Sequence, residues 1–556
     1  MSNNHPEFHN ELGFNIFKQK YAITPYETWR ERSHAIVDAV CGRNNGTEAN
    51  AIMGKDDMDF LVKCIEEKKF MPGGRYIYYA GRLATFYNNC YLLKLLEDTR
   101  EDWASLLQRN TNCLMTGGGT GNDVSEARPS GKILSKTGGV SSGPIPLLHM
   151  INEAGRNVMQ GGSRRSAMYG SLNWQHGDAD LFLQVKNWKE QELVPGLTYA
   201  MAKEQNFNAA APLDMTNISL NYDDAFLQQI ERGALPQTFV ENCRMAMSNG
   251  EPGFSFNFGD KQNETLRNAC TEITSEDDSD VCNLGSINLG NISDINEFAA
   301  VVRVASKFLV CGTIRAGLPY HKVAQVREQN RRLGLGLMGM HEWLLKRDKP
   351  YIVDKEYKEW MKVYKNESER SANKHCDRLY LSRPKGYRAI APTGTISLLA
   401  CTTSGIEPIY ATAYKRRYLT NGTRHKHEFV VDATAERLVQ EGIDPEKIET
   451  AFSLSSDPER RIKFQYDTQP YIDHAISSTL NLPAWGSAEN NEDRVEEFAG
   501  LVAKYAKGLR GLTFYPDGSR GGQPITAVPY AEASSKRGVV YEDNSEQQCL
   551  SGVCGI

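Results

Sequence analysis

Residues 267–289 read Arg267-Asn-Ala-Cys-Thr-Glu-Ile-Thr-Ser-Glu-Asp-Asp-Ser-Asp-Val-Cys-Asn-Leu-Gly-Ser-Ile-Asn-Leu289. The closing stretch, 281–289, is an apolar run of strand length. Similar runs lie at 388–399 and 509–515, with helical segments between them at 298–318, 355–379 and 495–507. Strand and helix alternating over about 400 residues predict an α/β fold built on one large sheet, open or closed. The opening stretch carries chemical groups. On a strand or extended loop, residues two apart share a face, so Asn268, Cys270 and Glu272 bring an amide, a thiol and a carboxylate together. Taken alone, the triplet reads more readily as a solvated strand face with an incidental cysteine.

Outward from there, the first ~70 residues read helical, with apolar positions three and four apart in 26–40 and 57–70. From Pro72, glycine-rich turns at 117–121, 138–143 and 161–162 alternate with helical stretches such as 145–158. After Pro529 the sequence becomes polar and rich in small residues, with no amphipathic period, which predicts a mobile tail. The expected division is a helical region at 1–70, a central body at 71–530 and the tail at 531–556. The 40% apolar and 24% charged content is that of a soluble globular protein. A net charge of −5 without a long basic run argues against a nucleic-acid polymer as partner. With no apolar run of about 18 residues and no signal-peptide layout at the N-terminus, no membrane association and a cytoplasmic location are expected.

Twelve cysteines in 556 residues are too sparse for a disulfide scaffold, and no C-x-x-C pair points to zinc, so no metal site is expected. Cys41, Cys64, Cys113, Cys243, Cys311, Cys376 and Cys401 read as small buried hydrophobes. Five others have contexts that resist this. Cys270 sits in the triplet, Cys282 opens Cys-Asn-Leu-Gly-Ser-Ile-Asn-Leu, and Cys90 follows Asn88-Asn89. Cys549 and Cys554 lie five apart on the tail, where a thiol pair is either an oxidation liability or a shuttle for thiol–disulfide exchange.

These residues resemble the ribonucleotide reductases. The Asn268–Cys270–Glu272 triplet looks like that family's radical-site segment, and Asn88-Asn-Cys90 and Cys282-Asn-Leu-Gly-Ser-Ile-Asn-Leu289 look like its two strands of reducing cysteines. Met71-Pro-Gly-Gly-Arg75, Gly117-Gly-Gly-Thr-Gly121, Gly138-Gly-Val-Ser-Ser-Gly-Pro144, Gly161-Gly-Ser-Arg-Arg165, Asn330-Arg-Arg-Leu-Gly-Leu-Gly-Leu-Met-Gly339, Ala391-Pro-Thr-Gly-Thr-Ile-Ser397, Ser404-Gly-Ile-Glu-Pro408 and Phe514-Tyr-Pro-Asp-Gly-Ser-Arg520 match in the family's order. The resemblance implies a catalytic subunit built on a ten-stranded α/β barrel, with a finger loop carrying Cys270 into its centre.

It also implies roles. A thiyl radical at Cys270 takes the 3′-hydrogen of a ribonucleotide, the diphosphate or the triphosphate, and Glu272 serves as general base toward the 3′-hydroxyl. Asn268 orients the sugar hydroxyls. Cys90 gives the proton with which the 2′-hydroxyl leaves as water, and Cys90 and Cys282 end as a disulfide. Cys549 and Cys554 then reduce that disulfide and are themselves reduced by thioredoxin or glutaredoxin. Asn89 and the loop Pro392, Thr393, Gly394, Thr395, Ile396, Ser397 are expected to bind substrate, the loop holding its phosphates on backbone donors. Asp98, Lys136, Ser141 and Ser142 are expected to border a deoxynucleotide effector at the interface of a homodimer. A second loop near 207–215 departs from the family pattern through its Asn-Ala-Ala-Ala-Pro stretch. The N-terminus is too short for the family's ATP-binding cone, so on/off control by ATP and dATP is expected to be absent.

The radical source divides the family. A ferritin-like dimetal partner subunit delivers its radical through two adjacent tyrosines, whereas this chain has Phe514-Tyr515, and phenylalanine has no O–H to exchange. The Tyr-x-Asp-Gly-Ser-Arg and Ser-Gly-Ile-Glu-Pro stretches look more like the adenosylcobalamin-dependent type, although the tail resembles partner-dependent subunits. Adenosylcobalamin is the expected cofactor, with the ferritin-like partner as the alternative. No glycyl-radical site occurs near the C-terminus. A non-radical thiol oxidoreductase on the same scaffold is the competing function, and it leaves Asn268, Cys270 and Glu272 without a task.

Overall fold

The computed structural model describes residues 7–42, 51–135, 138–158, 167–206, 208–420, 424–519, 525–536 and 540–542, with side chains at 416–420, 424–427, 525 and 540–542 excepted. Near the N-terminus, helix α1 (Glu11–Ile16) leads to α2 (Trp29–Cys41), which begins in a capping box. Thr28 Oγ1 accepts from the Glu31 N–H, and the Glu31 carboxylate accepts from the Thr28 N–H. Phe8, Phe17 and Trp29 pack ring against ring, so this region brings its own aromatic payload. That payload is continuous with the core around α3 (Ile295–Arg315) and α4 (Lys355–Arg378). No helix among the described residues is long and apolar enough to cross a membrane.

The fold is mixed α/β. Strand β1 (Phe70–Pro72) precedes five neighbouring strands that all run parallel: β2 (Cys90–Lys94), β3 (Gly119–Asp123), β4 (Met168–Asn173), β5 (Thr216–Tyr222) and β6 (Gly253–Phe256). A short hairpin follows, β7 (Leu266–Arg267) and β8 (Thr274–Ser275), and then β9 (Asp280–Val281), antiparallel to β2. Strands β10 (Leu284–Asn288) and β11 (Gly334–Met338) are parallel, as are β12 (Thr479–Leu482) and β13 (Gly511–Pro516), while β13 runs antiparallel to β6. Among the described residues these strands form an eight-stranded sheet, β9-β2-β3-β4-β5-β6-β13-β12, and a three-stranded sheet, β1-β10-β11. Single parallel bridges tie Leu335 to Arg388 and Ile390 to Ile476. Strands β3, β10 and β11 are buried along their whole length, as expected of parallel strands covered on both faces.

Two segments depart from the sequence reading. Residues 388–399 are not one strand: the chain is extended at Arg388–Ile390, turns at Pro392-Thr393, and becomes helix α5 (Gly394–Ala400). Pro392 cannot donate to a sheet ladder, and Thr393 adopts φ +53°, which ends an extended run. Beyond Pro529, helix Tyr530–Ser535 buries Ala533, and Val540–Glu542 pairs with the strand Arg424–Val431. Cys549 and Cys554 lie outside the described residues.

Candidate active site

The N-terminal ends of β2, β3 and β10 border one cleft, together with the 268–273 turn and the 391–396 loop. Its walls include Cys90, Cys270, Glu272, Asn89, Pro392, Thr393, Gly394, Thr395 and Ile396, all singled out from sequence.

The pair Cys90 and Cys282 is set by strand register. Val281 opposes Tyr91 and Asp280 opposes Leu92, so the next step places Cys282 across from Cys90, and the Cys282 N–H donates to the Cys90 carbonyl at 3.2 Å. Directly opposed antiparallel residues have Cα atoms about 4.5–5.5 Å apart, inside the span a disulfide bridges. The Cys282 thiol is fully buried and its pKa lies well above the usual range, first through burial and then through its hydrogen bond to the Cys90 thiol. Asn88 Nδ2 fixes the pair from behind, donating to the Cys282 carbonyl and to Asn283 Oδ1, both at 3.0 Å.

The hairpin β7–β8 delivers the triplet. Its base is held by Arg267, whose buried guanidinium donates to Asn257 Oδ1 at 2.7 Å and to the Arg510 carbonyl at 3.1 Å. At the tip the triplet is not a flat strand face. The Thr271 N–H donates to the Asn268 carbonyl at 2.9 Å, and Thr271 takes φ +68°, so the chain reverses around Cys270. Cys270 and Glu272 face the cleft, whereas Asn268 lies behind them, its Oδ1 accepting from the Ile273 N–H at 2.9 Å. The hairpin crosses β3 at Gly121, where a Cβ would stand 1.7 Å from the Arg267 carbonyl oxygen. Gly119 is similarly confined, since its Cβ would meet the Ala167 carbonyl at 2.7 Å and Cys90 Sγ at 3.3 Å. Glycine is what lets the tip reach the cysteine pair.

Glu272 is 1% exposed. Burial, aided by the nearby Cys90 thiol, pushes its carboxyl up to about 8, against a smaller pull from its own backbone and the Asn268 side chain. Asn268 lies near enough to favour the carboxylate slightly, yet neither Asn268 Nδ2 nor Glu272 Oε2 has a hydrogen-bond partner of sound geometry among the described residues. Asn89 Oδ1, on the cleft wall, is likewise buried and unpartnered. On the cleft wall itself, Glu272 Oε2 and Asn89 Oδ1 are the unmet polar atoms, and they suit a hydroxyl-bearing ligand.

The cleft is also bordered by the start of α5, whose first-turn amides have no acceptor within the helix. Thr393 Oγ1 accepts from the Gly405 N–H at 2.8 Å, which holds the turn. Ser397 does not line the cleft; its hydroxyl shares a hydrogen bond with Ser404 Oγ at 2.9 Å inside the loop.

Tyr515 and Phe514 alternate faces on β13, and neither lines the cleft. Phe514 is buried among Phe254 and Phe498. Asp98 and Ser141 meet at Arg128: the Asp98 carboxylate accepts from the Arg128 N–H at 3.1 Å and pairs with its guanidinium, while Ser141 Oγ donates to the Arg128 carbonyl at 3.3 Å. Burial raises the Asp98 pKa, but the Arg128 and Trp103 donors outweigh it and hold the carboxyl below its usual range. Ser142 is exposed nearby, and Lys136 lies outside the described residues. The cleft also has walls that the sequence reading did not assign to it, among them Tyr21, Gly73, Ala167 and Ser286. Tyr21 follows Phe14 and Phe17 at helical spacing, a signal for packing and not for a site.

The family described as "Ribonucleotide reductase, barrel domain" matches residues 88–243, 243–367 and 383–515. The chain is 26% identical over 530 residues to the vitamin B12-dependent ribonucleoside-diphosphate reductase of Mycobacterium tuberculosis (strain CDC 1551 / Oshkosh), covering 83% of this chain and 72% of that protein. It is 25% identical over 525 residues to the protein of the same name from Thermoplasma acidophilum, covering 82% and 65%. Over 326 residues it is 25% identical to the ribonucleoside-diphosphate reductase subunit alpha of Chlamydia trachomatis serovar D, covering 51% and 31%.

Proposed function

Since the chain belongs to the ribonucleotide reductase barrel family, we propose that it is the catalytic subunit of an adenosylcobalamin-dependent ribonucleoside-diphosphate reductase, making deoxyribonucleotides for DNA synthesis. The observation that carries the reading is the meeting of Cys270, Cys90 and Glu272 on one cleft that a helix start also borders, with Cys282 paired to Cys90 just behind the wall.

The ribose lies over Cys270, with its phosphates on the first-turn amides of α5. The Cys270 thiyl removes the 3′-hydrogen, and Glu272 accepts the 3′-hydroxyl proton. Cys90 protonates the departing 2′-hydroxyl, which leaves as water. Cys90 and Cys282 supply two electrons and become a disulfide. Hydrogen returned from Cys270 to C3′ closes the sugar chemistry and restores the thiyl. Glu272 Oε2, which faces the cleft, finds its partner on a sugar hydroxyl, and Asn268 behind it positions the Glu272 carboxyl. A non-radical thiol oxidoreductase leaves Cys270 and Glu272 without a purpose.

Adenosylcobalamin as radical source rests on the relatives' names and on two features of this chain. Cys270 faces an open cleft, while Phe514, where a tyrosine relay requires an O–H, is buried in an aromatic cluster. When bound, the cofactor would supply radical chemistry, and the residue it would act on is Cys270, whose thiol hydrogen would be given up at the cleft. The cobalamin dependence of the relatives' names argues against a ferritin-like partner.

The finer architecture belongs to the same proposal. The bridges at Leu335–Arg388 and Ile390–Ile476, with β9 and β10 consecutive in the chain, support a ring of ten strands in two antiparallel halves. A deoxynucleotide effector beside Asp98 and Ser141 in a homodimer, and a tail in which Cys549 and Cys554 pass electrons from thioredoxin or glutaredoxin, complete the reading.

The test is anaerobic assay of the purified chain with a ribonucleoside diphosphate, a dithiol and adenosylcobalamin, and with no second protein. Deoxynucleoside diphosphate is expected, and Cys270→Ser is expected to make none while still exchanging thiols. Turnover by the Cys270→Ser protein sinks the radical mechanism. Silence of the native chain until a dimetal subunit is added replaces the cofactor.

A further inference from the structure

Cys41 and Cys311 belong to the cysteines that the sequence reads as small hydrophobes, and the structure puts them against each other. Cys41 is the last residue of α2 and Cys311 lies toward the end of α3; both are fully buried, and their thiols are within hydrogen-bonding contact. On the far side, Cys311 Sγ stands 3.4 Å from Nε2 of His375 on α4. Two touching thiols backed by an imidazole form the constellation of a dithiol poised for oxidation.

We propose that Cys41, Cys311 and His375 form a second redox site, remote in role from the cleft, at which hydrogen peroxide converts the two thiols into a disulfide stapling α2 to α3. The electrostatics suit the order of events. Burial raises the Cys311 thiol, but hydrogen bonds from Cys41 and His375 and the charges of His375 and Arg378 outweigh it and leave the thiol lowered. Burial and the same Cys41–Cys311 hydrogen bond raise Cys41. The imidazole of His375 stands against Cys311, so Cys311 is the attacking thiolate and Cys41 the resolving thiol.

The Cys311 thiolate attacks one peroxide oxygen, the O–O bond breaks, and hydroxide leaves with the proton that His375 had taken, leaving a sulfenic acid. Cys41 attacks that sulfur, the S–S bond forms, and the hydroxyl departs with the Cys41 proton as a second water. Two thiols and one hydrogen peroxide give one disulfide and two waters. Full burial of both sulfurs restricts the oxidant to one close to water in size. The site also adjoins the cleft's own support. Gly312, the residue after Cys311, faces the Tyr76 hydroxyl so closely that a Cβ would lie 1.9 Å from it, and that hydroxyl donates at 2.9 Å to Asn283, the residue after Cys282.

The experiment exposes reduced full-length protein to hydrogen peroxide, denatures it in iodoacetamide and maps its peptides. A Cys41–Cys311 linked pair, two hydrogens lighter than the two free peptides together and split by dithiol, is expected. His375→Gln should slow its formation by roughly tenfold or more as the thiolate fraction falls, and cumene hydroperoxide should produce far less of it. Cys41→Ser, nearly isosteric, should trap Cys311 as a sulfenic acid that dimedone labels. Recovery of Cys41 and Cys311 as alkylated thiols while Cys90 and Cys282 have oxidised overturns the proposal. A link from Cys311 to Cys376 overturns it too.

Discussion

At the scale of single residues, Glu272 sets the pH behaviour. A carboxyl held up to about 8 by burial is mostly neutral at pH 7 in the free cleft. As the base for the 3′-hydroxyl it must be ionised, so kcat/KM should climb with pH and level off above about 8. The raised value also has a stability consequence. Below its ordinary 4.5 the carboxyl is neutral both folded and unfolded. As pH rises from there toward 8, the unfolded chain ionises first and folding loses free energy, by a few kcal/mol in all. Denaturant midpoints at pH 5 and pH 8 should therefore fall further for the native protein than for Glu272→Gln, whose turnover should drop by about 10²–10⁴-fold. Equal pH slopes for the two proteins would contradict a buried neutral carboxyl. Cys270, Glu272, Cys90 and Cys282 could be picked out because the motifs around them resemble those of a known family; by residue type alone the triplet reads as a solvated strand face. The contact between Cys41 and Cys311 could not be picked out. Nothing near either cysteine in sequence differs from an ordinary core position, and only the packing of α2 on α3 makes them a pair.

At the scale of elements, the hairpin β7–β8 works because β3 yields to it. Gly121→Ala places a methyl where the Arg267 carbonyl now lies, 1.7 Å from its oxygen. Neither backbone can move without disturbing β3 pairing or the Arg267 anchors, so a cost of about 1–3 kcal/mol is expected, with the tip lifted from the cysteine pair. Turnover should fall well beyond what the stability loss explains, while Cys270 alkylates faster; unchanged Cys270 reactivity would mean that the hairpin does not rest on Gly121. The alternation of strands and helices could be read directly from hydrophobic runs, since these follow from each element's own burial. The turn at the hairpin tip and the start of α5 could not, because both depend on left-handed residues, Thr271 and Thr393, that only surrounding contacts hold in place. Sequence periodicity describes an element that buries one face, and neither of these two segments is of that kind.

At the scale of the molecule, the first residues are part of the cleft and not an appendage beside it. Tyr21 lines its wall, Asn10 Nδ2 donates to Cys401 Sγ at 3.2 Å just past α5, and Gly13 lies so near α5 that a Cβ would stand 3.0 Å from the Leu399 carbonyl oxygen. The N-terminal segment thus supports the helix proposed to hold the phosphates, while the cysteines rest on other elements, Cys90 on β2, Cys282 just after β9 and Cys270 on the hairpin turn. Because different elements carry them, binding and chemistry can be disturbed independently. Gly13→Val crowds the carbonyl end of α5 and shifts its N-terminal turn, but touches no group around Cys270. KM for the ribonucleotide should rise by roughly tenfold, equivalent to about 1.4 kcal/mol, with kcat nearly kept, since the thiols and Glu272 remain where they were. Single-turnover formation of the Cys90–Cys282 disulfide at saturating substrate should match the native rate. If kcat falls instead and KM holds, the phosphates do not depend on α5, and the substrate must be anchored from the strand side of the cleft.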